Sequence, residues 1–540
     1  MREQGRAPGR GRRGREDATL TVDRLNEFLL LCALVLLVAV AAVRLTSRSG
    51  LPSLLLYLAI GVVLGQDGLG LDFHDPETTQ VLGYAALVVI LAEGGLSTRW
   101  RDIRPAVPAA AVLATAGVAL SVGITAAGAH YLVGLEWRSA LVMGAVVSST
   151  DAAAVFSVLR RVPLPRRLSG LLEAESGFND APVVLLVVAF SDLGGGGGGL
   201  WSGGWAGGGH AWYVLVPLMA LQLAIGLGVG LAVGRLGELA LRRVALPASG
   251  LYPIAVVALT VLAYAAGALA GGSGFLATYV AGLVLGNARL PHRPVTRGFA
   301  DALAWLAQIG LFVLLGLLVE PSDLLRDFWP AVLVGAVLTL VARPVSVAVC
   351  TTPFGQRWRE QALLSWAGLR GAVPIVLAII PVVAGVPDSD RIFHIVFVLV
   401  VVFTLAQGPT LPALARRLRL GGEAGAGVEL DIESTPLERL GGFGHLLTCA
   451  VPPRSRMAGV EIAELRLPAG AAVMLVVRGG TGFVPAPSAV LREGDELLVV
   501  ATEPVRDEVE RRLLAVSRGG RLVGWLGGRG STGVRRGAGH

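Results

Sequence analysis

Three short stretches of this sequence place ionisable, hydroxyl and amide side chains inside long apolar runs. They are Ser148 to Asp151, Glu173 to Asp180 and Ser365 to Pro374. An ionisable side chain in the middle of a membrane costs roughly 3 kcal/mol, so such a residue is a functional candidate by default. We therefore expect these three stretches to carry the chemistry of the protein.

The second stretch has the spacing of a cation site on one helix. Glu173, Ser176 and Asp180 stand at i, i+3 and i+7 and share one helical face, while Glu175 and Asn179 form the neighbouring stripe. Carboxylate, hydroxyl and amide oxygens are the ligands that small hard cations prefer. The sequence therefore predicts a small-cation site at Asp180, with Ser176 and Asn179 as further ligands.

Three further ionisable residues have a structural interpretation beside the functional one. Arg370 is predicted to neutralise a buried acid, with Glu175 as its ion-pair partner. Asp151 either caps the second half of a broken helix or holds an ion. Glu93 lies near the inner end of its apolar run, where it either sits at the membrane interface or takes part in ion binding.

Thirteen apolar runs surround these stretches and must position them. The chain is 54% hydrophobic and 16% charged, whereas a soluble domain is about 45–50% apolar and about 25% charged. A helical span needs about 20 apolar residues. The predicted fold is an all-α polytopic membrane protein of about 13 transmembrane helices, followed by a small C-terminal α+β domain. The runs fall near 28–43, 51–65, 80–96, 106–133, 139–159, 169–190, 212–234, 250–270, 273–287, 302–319, 329–350, 361–384 and 392–415.

The arginines orient the chain. Twenty lie in one set of alternate loops, while the other set carries only Arg138, Arg326 and Arg391. By the positive-inside rule the arginine-rich loops are cytoplasmic, which predicts an outer N-terminus and a cytoplasmic C-terminus. Arginines in short loops do not form a nucleic-acid-binding stripe, despite the pI of about 9.9. The basic N-terminal segment conflicts with this orientation, so either it crosses the membrane or translation starts later, with Val22 as a candidate start.

Changes in composition predict five regions. Residues 1–24 are a basic N-terminal tail, 25–420 the transmembrane domain, 421–445 a linker, 446–516 a small cytoplasmic domain and 517–540 a disordered Gly/Arg-rich tail. Within the small domain, Ala471 to Val477 and Glu496 to Val500 are predicted strands. Val505 to Val516 is a predicted amphipathic helix.

Four motifs together resemble the bacterial NhaP-type cation:proton antiporters of the sodium/proton exchanger superfamily. They begin at Glu93, Thr150, Glu175 and Gly368 and read EGGL, TDAAAVF, ESGFND and GLRGAVP. The resemblance covers about residues 22 to 420. Residues 446 to 516 are similar to the C-terminal lobe of potassium-regulatory RCK domains, the TrkA-C type, and this pairing resembles the potassium/proton branch.

The resemblance implies inverted repeats and two broken helices that cross at mid-membrane. Suitable interruptions stand at Ser148 to Asp151 and at Gly368 to Pro374. It further implies that Asp180 binds the monovalent cation and the proton, with help from Ser176 and the Thr150 carbonyl, and it favours an ion-binding role for Glu93. Because the RCK nucleotide-binding half is missing, a small ligand such as a cyclic dinucleotide is the expected regulator at 446–516, rather than NAD.

The predicted function is secondary active exchange of potassium for protons in the bacterial plasma membrane, by a homodimer that is not an enzyme, needs no cofactor and binds no nucleic acid. Sodium remains an alternative, because both ions use oxygen ligands. A channel gated by the C-terminal domain is the alternative from another class, but the sequence has no filter such as TVGYG. A membrane-anchored sensor is a third possibility, which the charges in mid-span disfavour.

Overall fold

The computed structural model describes most of the chain, with gaps at both termini and in several loops. Nearly all of the predicted N-terminal tail, most of the predicted linker and residues 521–540 lie outside the described part. The described residues are 22–49, 53–66, 68–71, 75–159, 164–192, 212–244, 246–288, 290–319, 321–420, 432–436, 444–452 and 455–520.

The described residues of the first half of the transmembrane domain form nine helices. The π-helical turn Leu113–Gly117 joins α5 (Val107–Val112) to α6 (Val118–Gly128), and a second π-helical turn, Ala129–Val133, extends them into one long helix, Val107–Val133. The helices are α1 (Val22–Ser49), α2 (Ser53–Leu64), α3 (Pro76–Ser97), α4 (Trp100–Ile103), α5 (Val107–Val112), α6 (Val118–Gly128), α7 (Trp137–Val146), α8 (Ala152–Leu159) and α9 (Arg166–Asp192).

The described residues of the second half form eleven helices. A matching π-helical turn, Leu338–Ala342, lies between α15 (Phe328–Val337) and α16 (Arg343–Thr351). A short 3₁₀ turn follows α16 at Thr352–Phe354. The helices are α10 (Trp212–Arg243), α11 (Leu251–Leu269), α12 (Gly274–Asn287), α13 (Arg293–Leu317), α14 (Pro321–Leu324), α15 (Phe328–Val337), α16 (Arg343–Thr351), α17 (Trp358–Trp366), α18 (Ala372–Leu377), α19 (Ile379–Val383) and α20 (Ser389–Arg417).

Length and hydropathy identify the helices that can cross a bilayer. Among the described residues, 7 helices are long and apolar enough to span it, and four shorter apolar helices accompany them. α9 has 27 residues but carries Glu173, Glu175 and Asp180, so its polarity is that of a helix buried among others rather than one facing lipid. The predicted helical membrane fold is confirmed, whereas the number of 13 spans stays a prediction.

The helices pack into two bundles. α2, α3 and α10 to α13 contact one another in the first, and α5 to α9 with α15 to α20 form the second. α9 packs against α10 and α12, and α3 packs against α18 and α19, where the bundles meet. Close approach of α3 and α12 needs glycine, because a Cβ at Gly95 would lie 2.4 Å from the Tyr279 carbonyl oxygen. The acid-bearing helix α9 therefore lies at the boundary between the bundles.

The C-terminal domain is a five-stranded antiparallel sheet covered by one helix. The strand order is β1-β2-β5-β3-β4. Val509, Leu513 and Val516 of α21 (Arg506–Gly519) are buried against strand residues such as Leu447 and Val499. The strands are β1 (Ile432–Pro436), β2 (Gly444–Ala450), β3 (Ala471–Arg478), β4 (Thr481–Phe483) and β5 (Glu496–Thr502).

The described structure extends this domain beyond its predicted limits. β1 falls inside the predicted linker, where it pairs antiparallel with β2. The sequence did not predict β1, because five residues between Gly-rich segments are too few to show the alternating pattern of a strand. At the other end, α21 continues to Gly519, past the predicted start of the tail. The two strands and the helix that the sequence predicted here are confirmed.

A buried carboxylate makes the stability of this domain acid-sensitive. Asp495 accepts hydrogen bonds from Arg478 at 2.8 and 2.7 Å and from the Arg492 amide at 2.8 Å. Burial raises the pKa of Asp495, but these bonds outweigh burial and hold the pKa below its usual value of 3.8. The resulting stabilisation is present above the unfolded-state pKa and is lost as pH falls through the folded-state pKa.

We expect Asp495→Asn to destabilise the C-terminal domain by roughly 1–2 kcal/mol at neutral pH, with a smaller loss on acidification than in the parent. Hydrogen exchange of the β3 and β5 amides in the full chain, followed from pH 6 to pH 3, measures both effects. Glu508→Gln, a change of an exposed acid on α21, is the control. Equal acid dependence in the Asp495→Asn chain and the parent would contradict this role.

Candidate functional site

Two helix interruptions meet in the middle of the second bundle. The chain is not α-helical between Val146 and Ala152, nor between Trp366 and Ala372. The Asp151 amide donates a hydrogen bond to the Leu369 carbonyl oxygen at 2.9 Å, which joins the two breaks. Both interruptions lie where the sequence predicted them, although the second break ends at Gly371 and Pro374 is already helical.

Glycine is required at this crossing. A Cβ at Gly371 would lie 2.0 Å from Asp151 Oδ2, which no Cβ tolerates. Asp151 itself accepts a hydrogen bond from the Ala154 amide through Oδ1 at 3.1 Å, in the manner of a helix cap at the start of α8. Its position thus agrees with the capping interpretation, and its other carboxylate oxygen lies against the second break.

We expect Gly371→Ala to disrupt the crossing, because the added methyl group must displace either the Asp151 carboxylate or the backbone of the second break. The exchange predicted from the sequence should be lost while the protein still inserts in the membrane. Gly310→Ala is the matched control, since a Cβ there meets no atom within 4 Å. Ion-driven proton movement in vesicles, together with size-exclusion profiles of both variants, provides the measurement; a Gly371→Ala chain with parental transport would disprove the close approach.

Asp180 lies on α9 opposite the first interruption. Its side chain is 7% exposed, and Oδ1 accepts a hydrogen bond from Ser149 Oγ at 2.6 Å. Ser149 belongs to the polar stretch Ser148 to Asp151 but was not predicted as a site residue. The signal that could have identified it is its place in the interruption between α7 and α8, since a hydroxyl outside the helices can face a neighbouring helix.

The other predicted oxygen ligands surround the same break. Ser176 Oγ donates to the Thr150 carbonyl oxygen at 3.0 Å and accepts from the Ala152 amide at 3.2 Å. Asn179 Nδ2 donates to Thr150 Oγ1 at 2.6 Å. Asn179 Oδ1 is buried without a hydrogen-bond partner in the described part of the chain.

The structure thus brings five predicted residues together around one break: Thr150, Asp151, Ser176, Asn179 and Asp180. Their arrangement supplies carboxylate, amide, hydroxyl and carbonyl oxygens within one buried cluster, and the unpaired Asn179 oxygen leaves one acceptor for a ligand. A buried acceptor that lacks a partner costs about 1–3 kcal/mol. A small cation or a proton-bearing group is the chemistry that satisfies such a cluster.

The predicted ion pair between Glu175 and Arg370 is wrong. Arg343 on α16 binds both carboxylate oxygens of Glu175, at 2.5 and 2.8 Å. Glu175 stands five positions before Asp180, which on a helix of 3.6 residues per turn directs it about 140° away, towards α16. Arg343 was missed although it is an isolated charge within the apolar run 329–350, which was the signal that could have identified it.

Arg370 lies beside this pair without entering it. A Cβ at Gly368 would lie 3.0 Å from Arg343 Nε and 3.3 Å from Arg370 Nη1, so the two guanidinium groups flank the same glycine. Nε and Nη1 of Arg370 are buried and have no hydrogen-bond partner among the described residues. Arg370 therefore places a positive charge at the crossing that no described hydrogen bond compensates.

Glu93 is not in the Asp180 cluster as the structure describes it. It lines a small cavity of about 10 Å³ with Thr260 of α11 and Ala300 of α13. The physical reason is the direction of α3, which packs on α12 through Gly95. Glu93 is two positions before Gly95, which on a helix turns its side chain by about 200°, away from α12. An ion-binding role for Glu93 stays a prediction without direct contact to Asp180 in the described structure.

Tyr279 of α12 is a further residue that the sequence did not identify. Its ring packs on Gly177, where a Cβ would lie 2.3 Å from the ring. The ring of Phe178 meets it edge-on at 6.0 Å. The Tyr279 hydroxyl is buried. It therefore closes the boundary between the bundles one turn from Asp180.

Comparison with known proteins assigns both regions. Residues 33–417 match the family model described as sodium/hydrogen exchanger, transmembrane. Residues 446–514 match the TrkA-C domain. This second match agrees with the sheet domain described above.

The curated relatives point the same way. The chain is 36% identical to the K(+)/H(+) antiporter NhaP of Alkalimonas amylolytica, over 89% of this chain and 82% of that protein. It is also 36% identical to the K(+)/H(+) antiporter NhaP2 of Shewanella oneidensis, over 90% of this chain and 83% of that protein. Identity to the Na(+)/H(+) antiporter ApNhaP of Aphanothece halophytica is 28%, over 82% of this chain and 84% of that protein.

Among solved structures, the sodium proton antiporter MjNhaP1 of Methanocaldococcus jannaschii superposes with a TM-score of 0.63. The match covers 74% of this chain and 100% of that one at 21% identity, which establishes likeness of fold. The broken-helix crossing, the family match over 33–417 and the extensive identity to the relatives agree with one another. The chain therefore belongs to the sodium/hydrogen exchanger family and carries a C-terminal TrkA-C domain.

Proposed function

We propose that this protein exchanges potassium ions for protons, with Asp180 as the group that binds each in turn. The observation that carries the proposal is the buried Asp180 carboxylate, held by Ser149 and placed among the oxygens of Thr150, Ser176 and Asn179. Such a group gains stability from either a proton or a cation, because an empty buried carboxylate is costly. Competition between the two for one site produces exchange.

The location of the cluster supports movement between the two sides of the membrane. Asp180 lies on α9, which contacts α10 and α12 of the other bundle. If one bundle moves against the other, a site at their boundary can face each side in turn, as in transporters with broken helices at the midplane. Tyr279 and Phe178 lie at that boundary and would have to separate when access changes.

Potassium is the proposed ion because the relatives at 36% identity are named K(+)/H(+) antiporters. Sodium is the second candidate, favoured by the name of the 28% identical relative. The oxygens around Asp180 are of types that both ions use, so the choice depends on the size of the cavity that they form when an ion is bound.

The test is a dye-based measurement of proton movement in inverted vesicles after addition of potassium, sodium or lithium, across a range of pH. Potassium-driven exchange that exceeds sodium-driven exchange is the expected result. Cation flux without proton movement would support a channel instead, and exchange with sodium alone would replace potassium by the second candidate.

We further propose that the TrkA-C domain lies in the cytoplasm of a bacterial plasma-membrane homodimer and adjusts the exchange rate when it binds a small ligand. The arginines near the ends of α3, α10 and α20 support this orientation. Comparing vesicles that contain the full chain with vesicles that contain residues 1–420 tests the regulation. Identical rates and pH dependence in the two preparations, with and without cytoplasmic extract, would contradict it.

A further inference from the structure

A second cavity lies between the bundles. None of the Asp180 cluster residues line it, although Phe178 and Pro182, on either side of Asp180 along α9, do. Its volume is about 740 Å³. α5, the π-helical turn at Leu113–Gly117 and α9 form one wall, and α10 and α12 form the other. The segments Val107–Val133 and Val216–Arg243 on its two sides are both apolar enough to span a membrane. The cavity therefore opens at the depth of the lipid hydrocarbon.

The interior of this cavity is apolar. Its walls include Leu227 and Leu231 of α10 and Val280 and Val284 of α12. Leu227 is 45% exposed and Leu231 42% exposed, so the cavity is open at the side rather than sealed. Water is poorly held in an apolar space that offers it few hydrogen bonds. If the cavity were empty, both walls would lose dispersion contacts. The hydrocarbon of the surrounding lipid is therefore expected to fill it.

One end of the cavity is polar, with Arg235, Glu238, Trp100 and Asn287 at its edge. Arg235 and Arg242 share the carboxylate of Glu238, at 3.3 and 3.0 Å, which leaves one positive charge in excess. Guanidinium groups bind phosphate through paired hydrogen bonds. An exposed tryptophan beside them is typical of the membrane interface.

The length of the cavity also fits a lipid chain. From Leu223 to Arg235, α10 advances twelve residues, or about 18 Å at 1.5 Å per residue. Half the hydrocarbon thickness of a bilayer is about 15 Å. A chain whose phosphate lies at Arg235 would thus reach from the interface to the bilayer midplane within the cavity.

We propose that an anionic phospholipid occupies this cavity, with one acyl chain between α9 and α10 and its phosphate at Arg235. Because the two walls belong to different bundles, the lipid lies between the parts that must move against each other during exchange. The nature of this lipid then sets how readily the bundles slide, which makes membrane composition a determinant of transport rate.

The experiment uses the full chain in vesicles that contain phosphatidylglycerol with a photoactivatable group on its acyl chain. We expect crosslinks in peptides from α9, α10 and α12 at cavity residues. Leu227→Trp should lower this labelling about tenfold, because each displaced methylene weakens binding by roughly a factor of four. The control is Leu262→Trp on α11, a 54% exposed position that does not line the cavity and should leave labelling unchanged.

A second variant tests the headgroup without changing the apolar walls. Arg235→Gln should remove the preference for phosphatidylglycerol over phosphatidylcholine in competition labelling, while labelling by either lipid alone persists. Equal labelling of the Leu227→Trp and parent chains, or labelling spread evenly over all lipid-facing helices, would overturn the proposal. Labelling does not depend on transport, so its failure is distinct from a failure of the proposed exchange.

Discussion

Asp180→Asn is expected to reduce cation-driven proton movement to the background of empty vesicles. The asparagine side chain has the same shape and can still accept the hydrogen bond that Ser149 donates to Asp180 at 2.6 Å. It neither takes up a proton at physiological pH nor carries the negative charge that attracts a cation. The change therefore removes the proposed chemistry while it preserves the local packing.

The same vesicles supply the measurement and its control. Asp390→Asn alters an exposed acid in the first turn of α20 and should leave exchange close to the parent rate. Both proteins should elute as folded species at the same volume. Robust exchange by the Asp180→Asn chain would remove Asp180 from its proposed role and direct attention to Glu93 and Glu173.

The second large effect is expected at the ion pair between Glu175 and Arg343. Their side chains are 3% and 6% exposed, so either single change to glutamine leaves a buried charge without its counter-charge. Loss of one member of a buried pair costs about 3–5 kcal/mol. We expect Glu175→Gln and Arg343→Gln each to lower the unfolding temperature markedly, and the double variant to recover most of that loss.

An exposed pair provides the comparison. Arg242 is bound to Glu238 at 3.0 Å, with 45% of the arginine side chain exposed, and such a pair contributes about 0–1 kcal/mol. Arg242→Gln should therefore change the unfolding temperature little. A double-mutant cycle between Glu175 and Arg370 decides between the two arginines: stronger coupling there than between Glu175 and Arg343 would restore the partner that the sequence suggested.

The contrast between these two sites explains what the sequence could and could not predict. The cluster at Asp180 depends on spacing within α9 and on breaks marked by Ser148 to Asp151 and Gly368, both of which are local features of the chain. The partner of Glu175 depends on which of two arginines on separate helices reaches it. The π-helical turn at Leu338–Ala342 contributes to that choice, because an extra residue in a turn rotates everything after it, including Arg343.

Glu93 is a second residue whose position the local sequence could not predict. The resemblance favoured an ion-binding role for Glu93, but the direction of its side chain is set by Gly95, which packs on the α12 backbone. Contacts between segments far apart in the chain are not encoded in any short pattern. Tyr279 was missed for this reason, since it contacts Gly177 and Phe178, which are far away in the chain.

The crossing also has a consequence for which states of the protein can shuttle. It contains three acids, Asp151, Glu175 and Asp180, and two arginines, Arg343 and Arg370. With every group in its ordinary ionised form, the described crossing carries one net negative charge when empty and none once a proton or a monovalent cation arrives. Moving a net charge through a low-dielectric region costs far more free energy than moving a neutral group of residues. The site would therefore change the side it faces readily when it holds a proton or a cation, and slowly when it is empty. Electrostatics alone would thus suppress reorientation of the empty site, which would move no ion.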